Sequence, residues 1–122
     1  MREWLEKLLD LGIQEFSLAD TTSEADASQI SILFKEVKSK FPRLEVGAHF
    51  HARRADSLAK IEAAYHAGCR KFEGALLGYG GCPFAQDDLV GNIPSELLLH
   101  YFGRGTILEA TELAHSFRQL IL

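Results

Sequence analysis

Apolar residues recur along this chain with the spacing of helices in some segments and of strands in others. Over 27–41 they fall three or four residues apart, which predicts an amphipathic helix that ends before Pro42. The same periodicity predicts an N-terminal helix that stops at Gly12, and further helices over 55–66, 95–102 and 106–122. Short apolar runs bounded by polar turns predict three strands, at 13–18, 44–50 and 71–77.

Two local patterns indicate where the predicted helices begin and which sides they bury. Ser23 and Asp26 have the spacing of a capping box, which places the start of the first long helix here. In the next helix, we expect Leu58, Ile61 and Tyr65 to face the core.

The order of these elements predicts the fold class. Strands that alternate with helices are typical of βαβ units, so we expect an α/β fold with about three parallel strands and additional C-terminal helices. No linker or repeat divides the chain, so residues 1–122 are expected to form a single domain. Right-handed crossovers place the C-terminal ends of all strands on one side, where ligands bind in α/β folds.

Composition narrows the class of protein. The chain has 122 residues, 47% hydrophobic and 25% charged, which is typical of a globular domain. Its net charge of −4 argues against a nucleic-acid partner, and its apolar runs are too short to span a membrane. Charged residues interrupt the first eleven positions, so we expect no secretory signal. Two cysteines are too few for a disulfide scaffold, which favours a cytoplasmic location.

The strongest candidate for chemistry is a pair of histidines at the end of the second strand. His49 and His51 are two residues apart, so in a strand their side chains lie on the same face. They could bind one metal ion together. The alternative is one buried histidine and one exposed histidine without a ligand.

Polar residues also follow the first strand. Asp20 and Thr21 lie where this strand ends, on the side of the sheet that binds ligands. An aspartate at this position could be a ligand, a base or a helix cap, because the next helix begins shortly after it.

A glycine-rich loop follows the third strand. Gly78, Gly80 and Gly81 would let a substrate lie against bare peptide groups, or they could form a simple surface turn. Cys82, at the tip of this loop, could exchange protons, whereas Cys69 is expected to pack in the interior. Further along, Asn92 could offer an amide oxygen to a hard cation or could be a turn or cap residue.

Taken together and in this order, these segments resemble the hydroxymethylglutaryl-CoA lyase family. The resemblance covers the chain up to about Tyr101, and the glycine-Cys-Pro loop is its most specific part. It implies a TIM barrel with a divalent cation at the C-terminal face, of which this chain would be the C-terminal portion. The matching segments are Phe16-Ser-Leu-Ala-Asp20-Thr21, His49-Phe-His51, Gly78-Tyr-Gly-Gly-Cys-Pro-Phe-Ala85 and Gly91-Asn92.

The resemblance also implies a reaction and roles for individual residues. The reaction would be the retro-Claisen cleavage of 3-hydroxy-3-methylglutaryl-CoA to acetyl-CoA and acetoacetate. The implied metal is Mg²⁺ or Mn²⁺, bound by His49, His51 and Asn92. Cys82 and Asp20 would be catalytic, and the substrate contacts would be Thr21, Gly80 and Gly81.

The chain departs from the family pattern at several positions. Ala52 and Arg53 replace the usual Asp-Thr, Tyr79 replaces the usual Leu of the loop, and Glu73-Gly-Ala75 replaces Asp-Ser-Ser. No Arg-Asp-Gly segment is present, so the site would lack the family's carboxylate ligand and bind Mg²⁺ weakly by itself.

These departures leave three hypotheses. The chain would be part of an acyl-CoA lyase that acts with an N-terminal half-barrel. Alternatively, it would be a non-catalytic half-barrel that forms homo-oligomers through its open sheet edges, or another aldolase or Claisen-type enzyme of the same barrel.

Overall fold

A computed structural model describes residues 2–81, 90–104 and 106–121. Helices and strands alternate and are followed by two helices, which confirms the predicted α/β class. The helices are α1 (Arg2–Asp10), α2 (Ala27–Lys40), α3 (Arg54–His66), α4 (Ser95–Tyr101) and α5 (Ile107–Ile121). The strands are β1 (Glu15–Asp20), β2 (Glu45–Phe50) and β3 (Lys71–Glu73), and a 3₁₀ turn covers Leu76–Gly78.

The three strands form one parallel sheet in the order β1-β2-β3. Ala19 pairs with His49, and His49 pairs with Glu73, so the three strands are in register near their C-terminal ends. Because side chains alternate across a strand, Ser17, His49 and Glu73 lie on one face of the sheet. Phe50 lies on the opposite face.

The core lies on that opposite face, between the sheet and the helices α2 and α3. Phe34 of α2 contacts Phe50 edge to face, with ring centroids 6.2 Å apart. Ile30, Ile61 and Ile93 are almost completely buried in the same cluster. The helices therefore cover one face of the sheet, and the other face carries the polar residues described below.

The third strand is shorter than the sequence pattern predicts. It ends at Glu73, and Ala75 pairs instead with the segment before α4, through Ala75 N to Ile93 O (3.0 Å) and Ser95 N to Ala75 O (2.9 Å). Leu77 then has a φ of 58°, which is incompatible with an extended strand. This partner lies far away in sequence, so local apolar spacing could not indicate it.

Two other local predictions were wrong in part. The N-cap of α2 is Asp26, whose carboxylate accepts from Gln29 N, and the Gln29 side chain accepts from Asp26 N. The capping box is therefore Asp26 and Gln29, three residues after the predicted one, and Ser23 lies in the loop before it. In α3, Ile61 is buried as predicted and Tyr65 is half-buried, but Leu58 is exposed. Ser57, Lys60 and Ala64 form the rest of the buried side.

Within the described ranges, no helix has the length and apolar character that a bilayer crossing requires.

Candidate active site

The C-terminal ends of β1 and β2 meet the segment that leads to α4. His51 N donates to Asp20 O (3.0 Å), which extends the pairing of β1 and β2 by one residue. Ala52 N donates to Gly91 O (3.0 Å), and His51 and Asn92 form an antiparallel bridge. Residues separated by more than 70 positions are thus brought to one edge of the sheet.

His49 and His51 lie on the same face, as the two-residue spacing predicted. Their ring centroids are 5.4 Å apart, with an angle of 68° between the ring planes. His51 is buried and His49 is about one-third exposed. The two imidazoles are close enough to act on the same bound group.

A backbone carbonyl fixes the ring of His51. Its Nδ1 lies 3.0 Å from Val90 O. Because a carbonyl oxygen can only accept, Nδ1 carries a proton, and in the neutral ring the lone pair is then on Nε2. Metal-binding histidines are commonly held in this way, with one ring nitrogen donating to an oxygen and the other free to bind the ion.

Asn92 is held by the glycine-rich loop. Its Nδ2 donates to Tyr79 O (2.9 Å) and its backbone N donates to Gly78 O (3.1 Å). The amide nitrogen is therefore engaged, and Oδ1 is the atom that could bind a cation.

The glycines of the loop permit this close approach. Gly78 has a φ of 68°, and a Cβ atom there would lie 2.7 Å from Asn92 O. Gly80 has a φ of 92°, and a Cβ atom there would lie 3.1 Å from Asn92 Nδ2. Gly81 bridges Gly91. Because these glycines have no side chain, the loop backbone packs directly against the segment around Asn92.

Asp20 is surrounded by donors at the end of β1. Its carboxylate accepts from Glu24 N (3.1 Å) and Ala25 N (3.2 Å), and from Lys60 Nζ (2.9 Å). It is not the N-cap of α2, since that residue is Asp26.

Lys60 is a buried lysine that the sequence reasoning missed. Its Nζ also donates to Ser23 Oγ (3.0 Å) and to His51 O (3.2 Å), so it links the ends of β1 and β2. The sequence signal was a lysine within the buried stripe of α3, between Ser57 and Ile61.

The other predicted site residues have different positions. Thr21, Gly80 and Gly81 are exposed beside this edge. Cys82 lies outside the described residues. Cys69 is buried, as expected, and burial raises the pKa of its thiol to about 11.

The donor set fits part of a divalent-cation site. The two imidazole rings lie 5.4 Å apart, and the backbone bridge between His51 and Asn92 brings Asn92 to the same edge. Among the residues that the structure describes, no three His, Cys, Asp or Glu side chains form a metal-binding cluster. A hard cation such as Mg²⁺ prefers anionic oxygens, so at least one ligand would have to come from elsewhere.

Comparison with known proteins identifies the family. A family model described as HMGL-like matches residues 1–116. The chain belongs to the HMGL-like family.

Curated and solved relatives place this chain within a larger enzyme fold. It is 41% identical over 102 residues to the (R)-citramalyl-CoA lyase of Chloroflexus aurantiacus, covering 84% of this chain and 32% of that protein. It is 34% identical over 95 residues to the hydroxymethylglutaryl-CoA lyase YngG of Bacillus subtilis, covering 78% of this chain and 31% of that protein. The chain thus spans about a third of the length of these curated relatives.

A solved relative confirms the fold expected from the resemblance. An HMG-CoA lyase from Acinetobacter baumannii, in complex with coenzyme A and 3-methylmalate, superposes with a TM-score of 0.80 at 34% identity. The match covers 97% of this chain and 40% of that one. The three parallel strands and their helices therefore correspond to part of a TIM-barrel lyase.

Proposed function

We propose that this chain contributes the metal and thiol side of the active site of an acyl-CoA lyase. The observation that carries the proposal is the convergence of His49, His51 and Asn92 on one strand edge, with the ring of His51 oriented by Val90 O. Family membership supports the same reaction class. Because the chain spans about a third of its curated relatives, we expect the activity to need the N-terminal part of a barrel.

The proposed cation is Mg²⁺ or Mn²⁺, held by Nε2 of both histidines and by Oδ1 of Asn92. When bound, it would act as a Lewis acid that stabilises the oxygen anion of the reacting alcohol. The ring of His51 needs no reorientation for this role, because its Nδ1 is already engaged.

The proposed reaction is the retro-Claisen cleavage of a thioester that bears a tertiary alcohol. The hydroxyl proton goes to Asp20, the carbon–carbon bond breaks, and its electron pair forms the thioester enolate. Cys82 then donates a proton to the enolate carbon, which gives acetyl-CoA and a ketone. A carboxylate has about four acceptor sites, and Asp20 uses three of them for Lys60 and two backbone amides. These three donors therefore leave one acceptor site of the carboxylate unused.

The proposed substrate is 3-hydroxy-3-methylglutaryl-CoA, which would yield acetyl-CoA and acetoacetate. Thr21, Gly80 and Gly81 would contact it at the exposed edge. A cleft of about 360 Å³ opens beside Asn92, and Arg54 is one of the residues that line it. A cationic lining suits the carboxylate of such a substrate.

Citramalyl-CoA is a second candidate substrate. It is favoured by the 41% identity to the Chloroflexus aurantiacus enzyme. It has the same tertiary alcohol but is one methylene shorter, so its cleavage would release pyruvate instead of acetoacetate. A methylene changes substrate preference by roughly 1–3 kcal/mol, so product analysis can separate the two candidates.

In the decisive experiment, this chain replaces the matching segment of the Acinetobacter baumannii lyase, which gives a chimeric enzyme. We expect the chimera to cleave one of the two thioesters in a Mg²⁺- or Mn²⁺-dependent way. Acetoacetate and pyruvate would be quantified in parallel. His49→Ala and Cys82→Ala should each abolish turnover.

His66→Ala is the matched control, because this histidine is exposed on α3. It should leave turnover unchanged. A folded chimera without activity towards either thioester would contradict the proposal and favour a non-catalytic half-barrel. Unchanged turnover in His49→Ala or Cys82→Ala would remove that residue from the site.

A cytoplasmic location and homo-oligomer formation stay predictions.

A further inference from the structure

The ring nitrogen Nδ1 of His49 is buried, with almost no solvent-accessible surface. Among the residues that the structure describes, none meets both the distance and the angle of a hydrogen bond to this nitrogen. The carboxylate of Glu73 is close, with Oε2 3.2 Å from Nδ1. The two atoms are thus at hydrogen-bonding distance but not aligned.

The carboxylate of Glu73 is held from its other side. Ser17 Oγ donates to Oε1 of Glu73, so the residues Ser17, Glu73 and His49 form a polar chain. These residues lie on three different strands: Ser17 on β1, His49 on β2 and Glu73 on β3. This row of hydrogen-bonding side chains therefore crosses the whole sheet on the face opposite the core.

A glycine makes this crossing possible. Gly47 lies between the flanking strands, paired with Ser17 on one side and Lys71 on the other. A Cβ atom on Gly47 would lie 2.9 Å from Ser17 Oγ. A side chain at this position would therefore force Ser17 Oγ, the atom that donates to Glu73, to shift.

The burial of Nδ1 limits how His49 could bind a metal. An ion that arrives from solvent cannot reach this nitrogen, so Nε2 is the only ring atom available to it. Nε2 carries a lone pair only if the proton sits on Nδ1. Free imidazole in water does not enforce this arrangement, and a carboxylate next to Nδ1 does.

We propose that Glu73 is a positioning residue that fixes the His49 tautomer and presents Nε2 to the metal. This inference rests on the proposed function. His51 achieves the same result with Val90 O, so both histidines have an oxygen at Nδ1. Glu73 also brings a negative charge next to a donor set in which His49, His51 and Asn92 are all neutral ligands. Loss of such an outer partner typically weakens metal binding 10–100-fold.

The test reads the tautomer directly, without metal or substrate. The 122-residue chain, with ¹⁵N-labelled histidines, would be studied by long-range ¹H–¹⁵N correlation NMR in mildly alkaline buffer, where imidazole is neutral. We expect His49 to be protonated at Nδ1. In Glu73→Ala, this signature should change to protonation at Nε2 or to a mixture. Glu73→Gln keeps the shape and removes the charge, so it should show a smaller change.

Glu15→Gln is the matched control. It removes the same charge from the same face, but Glu15 pairs with Lys71 and not with a histidine. It should leave the His49 signature unchanged. Protonation of His49 at Nε2 in the unmodified chain, or an identical signature in Glu73→Ala, would overturn the proposal. The chemical-shift dispersion of each sample checks that the variant is folded.

A second measurement separates positioning from direct coordination. Free Mn²⁺ would be titrated by electron paramagnetic resonance against the chain and its variants. We expect Glu73→Ala to bind Mn²⁺ 10–100-fold more weakly, with Glu15→Gln unchanged. Loss of Mn²⁺ binding with an unchanged tautomer would make Glu73 a direct ligand and overturn the positioning role. An inactive chimera would contradict the lyase function but would leave the tautomer result unaffected.

Discussion

Replacement of the buried Lys60 should destabilise the fold strongly. Its side chain is 5% exposed, and that of its partner Asp20 is 12% exposed. The ammonium group has three donors, and all three are used, for Asp20 Oδ2, Ser23 Oγ and His51 O. Lys60→Met keeps most of the apolar stem and removes these bonds together with the charge.

The expected cost follows from what remains behind. A carboxylate that loses its partner in the interior typically destabilises a protein by about 3–5 kcal/mol. Asp20 keeps two bonds from Glu24 N and Ala25 N, so we expect the lower end, about 3 kcal/mol. A domain of ordinary stability has about 5–15 kcal/mol in total, so this loss is large.

Guanidinium-induced unfolding, followed by circular dichroism, would measure the change. The double variant Lys60→Met/Asp20→Asn removes both charges and should be more stable than Lys60→Met alone. If Lys60→Met does not fold at all, a folded double variant would still show the rescue. Lys71→Met is the control: Lys71 is half exposed and pairs with Glu15 and Glu45 at the surface, so it should shift the midpoint much less. A cost below about 1 kcal/mol for Lys60→Met, or additive costs in the double variant, would refute the reasoning.

Three further predictions concern other parts of the fold. Asp26→Ala removes the N-cap of α2 and should lower the free energy of unfolding by about 1 kcal/mol in the same denaturation assay; an unchanged midpoint would contradict the cap. Gly74→Ala would place a Cβ 2.6 Å from Ile93 O, so we expect a loss of about 1–3 kcal/mol and a lower melting temperature; a melting temperature equal to that of the parent would show that the backbone yields. Cys69 should resist alkylation until the chain unfolds, because it is buried and its thiol pKa is raised to about 11; modification of native Cys69 at the rate of the unfolded chain, detected by mass spectrometry, would contradict this.

Much of the fold could be predicted from local patterns. The apolar spacing predicted the order of helices and strands, and two-residue periodicity placed His49 and His51 on one face. The error in the third strand arose because a distant partner decides the structure there, whereas the errors in the capping box and at Leu58 were local. The third strand ends early because Ala75 pairs with Ile93 and Ser95, which lie about twenty residues further along.

The sequence by itself determined the fold class and the candidate metal-binding residues. Both depend on short-range periodicity and on motifs that a single segment contains. Only the tertiary structure decided how those residues are supported. Glu73 and Lys60 reach the site from other elements, through contacts with His49 and Asp20 that span 24 and 40 positions. Such contacts arise because parallel strands bring distant residues to one edge, and local spacing along the chain contains no record of them.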